Sequence, residues 1–452
     1  MKKKVLSMLM IAAMTGSLLA GCGGSSGGGS DTGSTSSGDS AEEASSDDSS
    51  AEGGDNSLSV YAWDASFNIP ALEAAGEDYK NNVDSNFELN IVEQSASSDV
   101  ENAITLAGSS GDYSQLPDIV LFQDHYFHKF NVDYPDAWLD VDDADIDWSD
   151  FGEEKLSYSM IDGKHFGVPL DNGTVVAAYR TDILEDCGYS LDDMTGITWD
   201  RFIEIGKDVY EKSGKYLVSM PADGNDMPYI MLQAEGVSQF EDGQPNLTDN
   251  ETVVKIYETI AQMINENVLY MPNDWTGYTN ESIVGDMVCG VMNGNWIIPT
   301  IEQVADNSGK WAITSMPTLS GDEGYASNGG SSFYITSNCK NPELAKDFLA
   351  KTFGGSTETY DNALKNGGVI TCCISAGQSD VYQEGVDYFN GQPIYSDIVE
   401  MSSKVKPIEQ SDFHYSLRNN TDTAIVNMVN GMAVGDALKD AQDQTVFEMG
   451  GN

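Results

Sequence analysis

The side chains able to do chemistry in this sequence are abundant carboxylates, four histidines and six cysteines. Paired carboxylates could hydrolyse a glycoside, but among 73 Asp+Glu such a pair discriminates nothing. No G-x-S-x-G elbow, HExxH or G-x-x-x-x-G-K-[ST] loop occurs. His125 and His128, in DHYFHKF, have the i, i+3 spacing of a metal pair, and equally that of hydrogen-bonding residues at a surface or cleft rim, which is the reading taken. Asp143, Asp145, Asp147 and Glu154 match positions of a calcium loop, yet Trp148 stands where its sharp turn needs glycine, so a solvated acidic loop is expected. Cysteines 187, 289, 339, 372 and 373 show no CxxC or zinc spacing and read as buried thiols. No catalysis, metal or cofactor is expected.

Aromatic residues carry more information. Trp63, Phe122, Trp275 and Trp296 each stand beside hydrogen-bonding groups: Asp64 and Asn68, Gln123 and Asp124, Asn273 and Asp274, Asn293 and Asn295. A single aromatic residue usually belongs to a core. A flat apolar face beside fixed polar atoms also suits a sugar ring, whose C–H faces stack and whose hydroxyls need oriented acceptors and donors. The formal net charge of −51 argues against nucleic acid and against polyanionic ligands.

The elements that must position these residues are legible. Residues 1–21, with Lys2 to Lys4 followed by a short apolar run, form an export signal that is too short to span a bilayer. Leu19-Ala20-Gly21-Cys22 resembles a bacterial lipobox, making acylated Cys22 the expected membrane anchor. Residues 22–57 are, after Cys22, almost wholly Gly, Ser, Thr, Asp, Glu and Ala, a disordered tether. Beyond it LSVYAW and FELNIV alternate as strands, and LPDIVLF is a continuous apolar strand. Helices fall between them over Ile69–Tyr79 and after a Ser98/Glu101 capping box, which predicts an α/β lobe with parallel pairing. Further helices begin at Thr198, Asn250 and Asn341-Pro342-Glu343.

LPDIVLF, DGKHFGVPLDNGTVVAAYRTDIL, GVMNGNWIIP and NGGSSFYITSNCKNPELAKDFL together resemble the extracellular solute-binding proteins of bacterial ABC importers, the carbohydrate-binding family that includes maltose-binding protein. The resemblance implies an α/β, two-lobed periplasmic-binding-protein type II fold, each lobe a sheet flanked by helices with the ligand cleft between. Its expected division is 58–168 and 315–375 for lobe one, 169–314 for lobe two, and 376–452 for lobe two and the C-terminal helices. It makes Trp296 a stacking platform and Asn295 a hydroxyl partner, with Gly330 and Ser331 bordering the cleft. Trp63, Asp64, Asn68, Gln94, Phe122, Gln123, Asp124, Asp171, Asn172, Trp275, His414 and Arg418 complete the candidate ligand-binding set. A lipid-anchored, monomeric receptor that hands a sugar or oligosaccharide to an ABC permease at the outer face of the plasma membrane is the implied function. The alternatives are a same-fold receptor for a small carboxylate, for which Arg418 would be needed, and a surface glycoside hydrolase. YAWDASFN and FQDHYF differ from the maltose-binding residues, so maltose is not implied.

Overall fold

The strands that shape the molecule are Ser57–Trp63 (β1), Glu88–Gln94 (β2), Ile119–Gln123 (β3), Trp138–Leu139 (β4), Gly167–Asp171 (β5), Val175–Arg180 (β6), Gly290–Gly294 (β7), Trp311–Thr314 (β8) and Ser331–Thr336 (β9). β1 alternates buried and half-buried side chains, whereas β3, β5, β6, β7, β8 and β9 are buried almost throughout, as strands covered on both faces must be. The computed structural model describes residues 56–224 and 226–450, all within one compact unit, Glu52–Asn452. The export signal, Cys22 and nearly all of the tether lie outside the described residues.

The first sheet has the order β2-β1-β3-β9-β4, with β5 also paired to β9. β1 pairs in parallel with β2 and β3, while β9 runs antiparallel to β3, β4 and β5. The second sheet is β7-β6-β8, antiparallel throughout. Even-numbered residues of β6, Val176 and Ala178, join the core cluster of the first sheet, and odd-numbered Val175, Ala177 and Tyr179 join a second cluster, the period-two consequence of strand geometry. β5 hydrogen-bonds into the first sheet as far as Asp171, β6 belongs to the second, and the chain enters the first sheet again at Ser331.

Fourteen helices cover the sheets among the described residues: Asn68–Asn82 (α1), Ser97–Ser110 (α2), Asp124–Asp133 (α3), Glu153–Ser157 (α4), Thr181–Cys187 (α5), Trp199–Ser213 (α6), Met227–Glu235 (α7), Glu251–Asn265 (α8), Ile298–Ile301 (α9), Pro342–Lys351 (α10), Thr357–Gly367 (α11), Ile394–Ser402 (α12), His414–Val429 (α13) and Val434–Glu448 (α14). Thr198, Asn250 and Asn341 cap their helices, accepting from Arg201 N, from Thr252 N and Val253 N, and from Leu344 N. The Ser98/Glu101 box does not form: the helix starts two residues earlier, after extended Ala96, which leaves Ser98 inside its first turn. α1 and α10 bury Leu72, Tyr79, Phe348 and Leu349 against the first sheet; α6, α7, α8, α13 and α14 enclose the second cluster. Tyr382 and Phe389, from the segment leading into α12, and Ile394 and Ile398 of α12 itself also pack in the first cluster.

Asp118 stitches the first sheet at the edge remote from the strand ends. One carboxylate oxygen accepts from Ser59 N (2.8 Å) and Ser59 Oγ (2.7 Å), the other from Lys340 N (3.1 Å). Hydrogen bonds to a carboxylate are worth about 1.5–3 kcal/mol each when a partner is stranded. Asp118→Ala is therefore expected to lower unfolding free energy by about 3 kcal/mol, and Asp118→Asn by less, as read by the denaturant midpoint.

Candidate ligand-binding cleft

Two stretches of chain cross between the sheets side by side. Val175 N donates to Ala326 O and Asn328 N to Gly173 O, each at 2.8 Å, and Thr174 bridges Ser327 antiparallel. Beside this double crossing lies a cavity of about 290 Å³. The C-terminal ends of parallel strands deliver side chains to it, as expected for an open α/β sheet: Trp63 and Asp64 follow β1, Phe67 and Asn68 open α1, and Gln123 and His125 follow β3. Asp171 ends β5, and Asn328 to Ser331 form the floor. Asp226, Trp296, His414 and Tyr415 close it from the elements of the second sheet and cluster.

Each wall residue is held by local geometry. Asp64 has φ +67, which Asp tolerates better than most residues. Its carboxylate accepts from Ser66 N (2.9 Å) and its carbonyl from Ile69 N (3.1 Å), fixing the entry to α1. Trp296 lies in the turn Asn295–Ile297 and donates its indole N–H to Asn328 O at 2.7 Å, which spends its polar atom and leaves its flat faces to pack. Gly294 permits this approach, since a Cβ there would stand 2.3 Å from Trp296 Nε1. Asn328 in turn donates to Asn293 Oδ1 (2.8 Å), and Asn293 to Tyr278 Oη (3.1 Å). Trp275, 45% exposed before a π-helix over Gly277–Val284, tilts 42° to Trp296 with ring centroids 5.7 Å apart. It lines a small adjoining cavity of about 30 Å³.

Polar groups lie buried under the floor. Asp124 pairs with Lys155 and accepts from Ser332 Oγ (2.9 Å); Lys155 also donates to Ser331 O (2.9 Å). Asp171 accepts from Ser331 N at 2.9 Å. Gly330, at φ +97, passes so near that a Cβ would come within 2.7 Å of Asp124 Oδ2. On one side His125 stacks on His414 at 4.8 Å and 6°, bordered by Tyr158, Tyr229 and Tyr415, while Tyr126 stacks on Tyr415 at 4.5 Å. At the outer end of the same helix His128 Nδ1 meets Asp412 at 2.7 Å.

Of the residues expected at the site, Trp63, Asp64, Asn68, Gln123, Asp171, Trp296, Gly330, Ser331 and His414 meet around the cavity. Asp124 lies beneath the floor. Asn172 and Asn295 are buried and line neither cavity. Phe122 packs among Phe130, Trp138 and Tyr334 instead, because neighbours on a strand face opposite ways and Gln123 takes the cleft side. Gln94 ends the edge strand β2 and turns to Val92 O (3.4 Å), away from the cavity. Arg418 is engaged by Asp226 (3.2 Å) and Gly224 O. Phe67, Asp226 and Tyr415 are wall residues that sequence reasoning missed; the HY pair of FHYSLR was the available hint to Tyr415. In the acidic run, Asp143 and Asp145 pair with Lys346 and Lys351, and Glu154 turns inward to Ser327 Oγ (2.6 Å), so these carboxylates do not converge.

Two sheets flanked by helices, with a cleft between them lined from both sides, define a two-lobed periplasmic-binding-protein type II fold. The sugar-binding protein MalE from Xanthomonas citri superposes with a TM-score of 0.73 at 15% identity, covering 87% of this chain and 98% of that one. A binding protein from B. animalis subsp. lactis in complex with beta-1,6-galactobiose gives 0.67 at 19% identity, covering 88% and 98%. The profile of the bacterial extracellular solute-binding protein family matches residues 74–390, and the chain belongs to that family. It is 32% identical to a lactose-binding protein of Rhizobium radiobacter, over 87% of this chain and 93% of the relative. An arabinooligosaccharide-binding protein of Halalkalibacterium halodurans is 26% identical over 76% of this chain and 79% of the relative.

The stacked histidines generate a pH dependence. Burial, with Lys155 and Arg418 nearby, lowers His125 to about 4, and burial also lowers His414. An unfolded histidine titrates near 6.5. The stability of the neutral stack is therefore fully present above about pH 6.5 and is lost as pH falls towards 4. His128, raised by its bond to Asp412, has the opposite sign: its contribution is present below about pH 6.5 and lost as pH rises through its folded value. Between pH 7 and 5, His125→Phe is expected to lose roughly 2 kcal/mol less stability than the unaltered protein, by denaturant unfolding at each pH.

Proposed function

We propose that this protein captures a sugar or oligosaccharide between its lobes and delivers it to the permease of an ABC importer, performing no chemistry on it. The observation that carries the reading is the composition of the cavity wall. Trp63, Phe67 and Trp296 offer apolar faces, and between them stand Asp64, Asn68, Gln123, Asp171, Asp226 and Asn328. That alternation suits a ring with C–H faces and peripheral hydroxyls. The names of the lactose- and arabinooligosaccharide-binding relatives agree with it.

Contact with both walls favours the closed arrangement through differential affinity. The export signal and acylated Cys22 hold the receptor, as a monomer, at the outer face of the membrane, and the tether keeps it at high effective concentration near the permease. A carboxylate solute is disfavoured because Arg418 is already bound to Asp226 and Gly224 O. Hydrolysis is disfavoured because the curated relatives are binding proteins.

A thermal-shift screen of the purified protein against mono- and oligosaccharides, with amino acids and carboxylic acids as controls, tests the reading. A ligand at 100 times its dissociation constant adds about 2.7 kcal/mol, a rise of several degrees. Trp296→Ala is expected to weaken sugar binding at least ~30-fold, the effect of losing an aromatic anchor worth about 2 kcal/mol. Asp64→Asn, which keeps the left-handed turn, is expected to weaken binding and leave the melting temperature of the empty protein within a few degrees. A rise with carboxylic acids and with no sugar would overturn the reading.

A further inference from the structure

We propose that Lys155, buried beneath the cleft floor and out of reach of the ligand, is a positioning residue that keeps the Asp171 side chain a hydrogen-bond acceptor towards ligand hydroxyls. The proposal rests on the cleft reading above. Lys155 has a side chain 1% exposed and lines neither cleft cavity, yet it is one hydrogen bond from the floor. Its ammonium donates to Asp124 and to the carbonyl of Ser331, and the N–H of the same Ser331 donates to Asp171. Asp124 takes Ser332 Oγ as well, and its backbone N–H donates to Gly330 O at 3.1 Å. The floor loop is thus tied from below at both Gly330 and Ser331.

The charges do not cancel. One ammonium stands near two carboxylates: it pairs directly with Asp124, whose side chain, 0% exposed, is turned to Lys155 and Ser332, and it reaches Asp171 only through Ser331. Burial raises the Asp124 carboxyl, opposed by Lys155 and Ser332, and Asp171 is the member that lines the cavity. Burial pushes Asp171 up to about 6, and the Asp124 charge adds to this while Lys155 opposes both. The other groups around the cluster supply no compensating cation. Glu154, beside Lys155 on α4, is raised by burial and bonded to Ser327 and Gln233. The Cys372 thiol and the Tyr334 hydroxyl are pushed up by burial, and His125 is kept neutral.

Lys155 therefore decides which partner Asp171 offers a ligand. Ionised, Asp171 accepts from sugar hydroxyls; protonated, it presents a donor to the same atoms. Affinity for a neutral sugar should fall as pH drops through about 6, and removing Lys155 should move that fall upward in pH.

The test has two readouts on the full-length protein. In the ligand-free state, the Asp171 carboxyl carbon is titrated by NMR in the unaltered protein, in Lys155→Met, and in Lys155→Met/Asp124→Asn, which removes the stranded Asp124 charge should the single variant fold poorly. With lactose as probe, calorimetry gives affinity from pH 5 to 9 for the same proteins and for Asp171→Asn. The expected result is an Asp171 midpoint at least about one pH unit higher in Lys155→Met, a smaller rise in the double variant, and lactose binding by Lys155→Met that is about twofold weaker at pH 7, approaches about tenfold weaker at pH 5 and recovers towards pH 9. Asp171→Asn should flatten the pH profile. An Asp171 midpoint unmoved in both lysine variants would overturn the proposal. Failure of lactose and other sugars to bind the unaltered protein would instead overturn the cleft reading, and the ligand-free titration would still decide whether Lys155 governs Asp171.

Discussion

The cleft depends on one pairing, the insertion of β9 into the middle of the first sheet. Ser331 sits opposite Gln123 on one side and Asp171 on the other, so a single residue sets the ends of β3 and β5 against each other. All six side chains of β9 are buried, and a slip of one residue would turn every one to the wrong face. Register is therefore specified by burial, and the loop Asn328 to Gly330, which precedes the strand, inherits its position. Trp296 is placed from that loop through its bond to Asn328 O, so a platform on the second sheet's side is indexed to a strand of the first.

The same dependence explains why polar groups can be buried so close to the cavity. A carboxylate with no partner is expensive to desolvate, and a paired one is tolerated only with its remaining lone pairs met. Glu154 accepts from Ser327 Oγ and Gln233 Nε2 through Oε1 alone and is raised by burial, and Tyr158 Oη meets Tyr229 Oη at 2.9 Å. These contacts join α4 to α7 and to the crossover, elements that pack in different clusters. On the proposed reading, opening the cleft would surrender aromatic stacking between α3 and α13, while water could replace the hydrogen bonds at the rim. Apolar contact area, rather than net hydrogen bonding, then sets how far the closed state is favoured.

Much of this was written in local signals. Thr198 and Asn341 cap the helices they were expected to cap, a helix follows Asn250 as expected, and the IVLF part of LPDIVLF is a buried strand. Such signals are carried by a residue and its near neighbours, which is why they survive without tertiary context. The capping box was misread because Ser95 N finds Asp99 (3.1 Å) and the helix begins at Ser97, a choice of phase that composition does not encode. At the site, residues next to strand ends were legible, since a strand end locates a side chain. Asp226 and Tyr415 were not, because they reach the cleft from helix starts far along the chain from the strand ends they face. Phe122 shows the limit in the other direction: adjacent aromatic and polar residues on a strand look like one site and point to two.

The scarcity of cations sharpens what the cleft can select. Against 73 Asp+Glu stand 22 Lys+Arg, and the three arginines at 180, 201 and 418 all hold acidic partners. Lys155 is committed to Asp124. The net charge of −51 contributes little at a distance, because salt screens it within about 8–10 Å. Selection against anions must therefore be made at contact, where Asp64, Asp171 and Asp226 line the wall and no lysine or arginine does among the described residues. An anionic ligand would have to displace Asp226 from Arg418 and leave that carboxylate half-buried without its partner, which costs more than one new ion pair returns. A neutral polyhydroxy ligand needs no such exchange, since its hydroxyls donate to acceptors that the fold has already fixed in place.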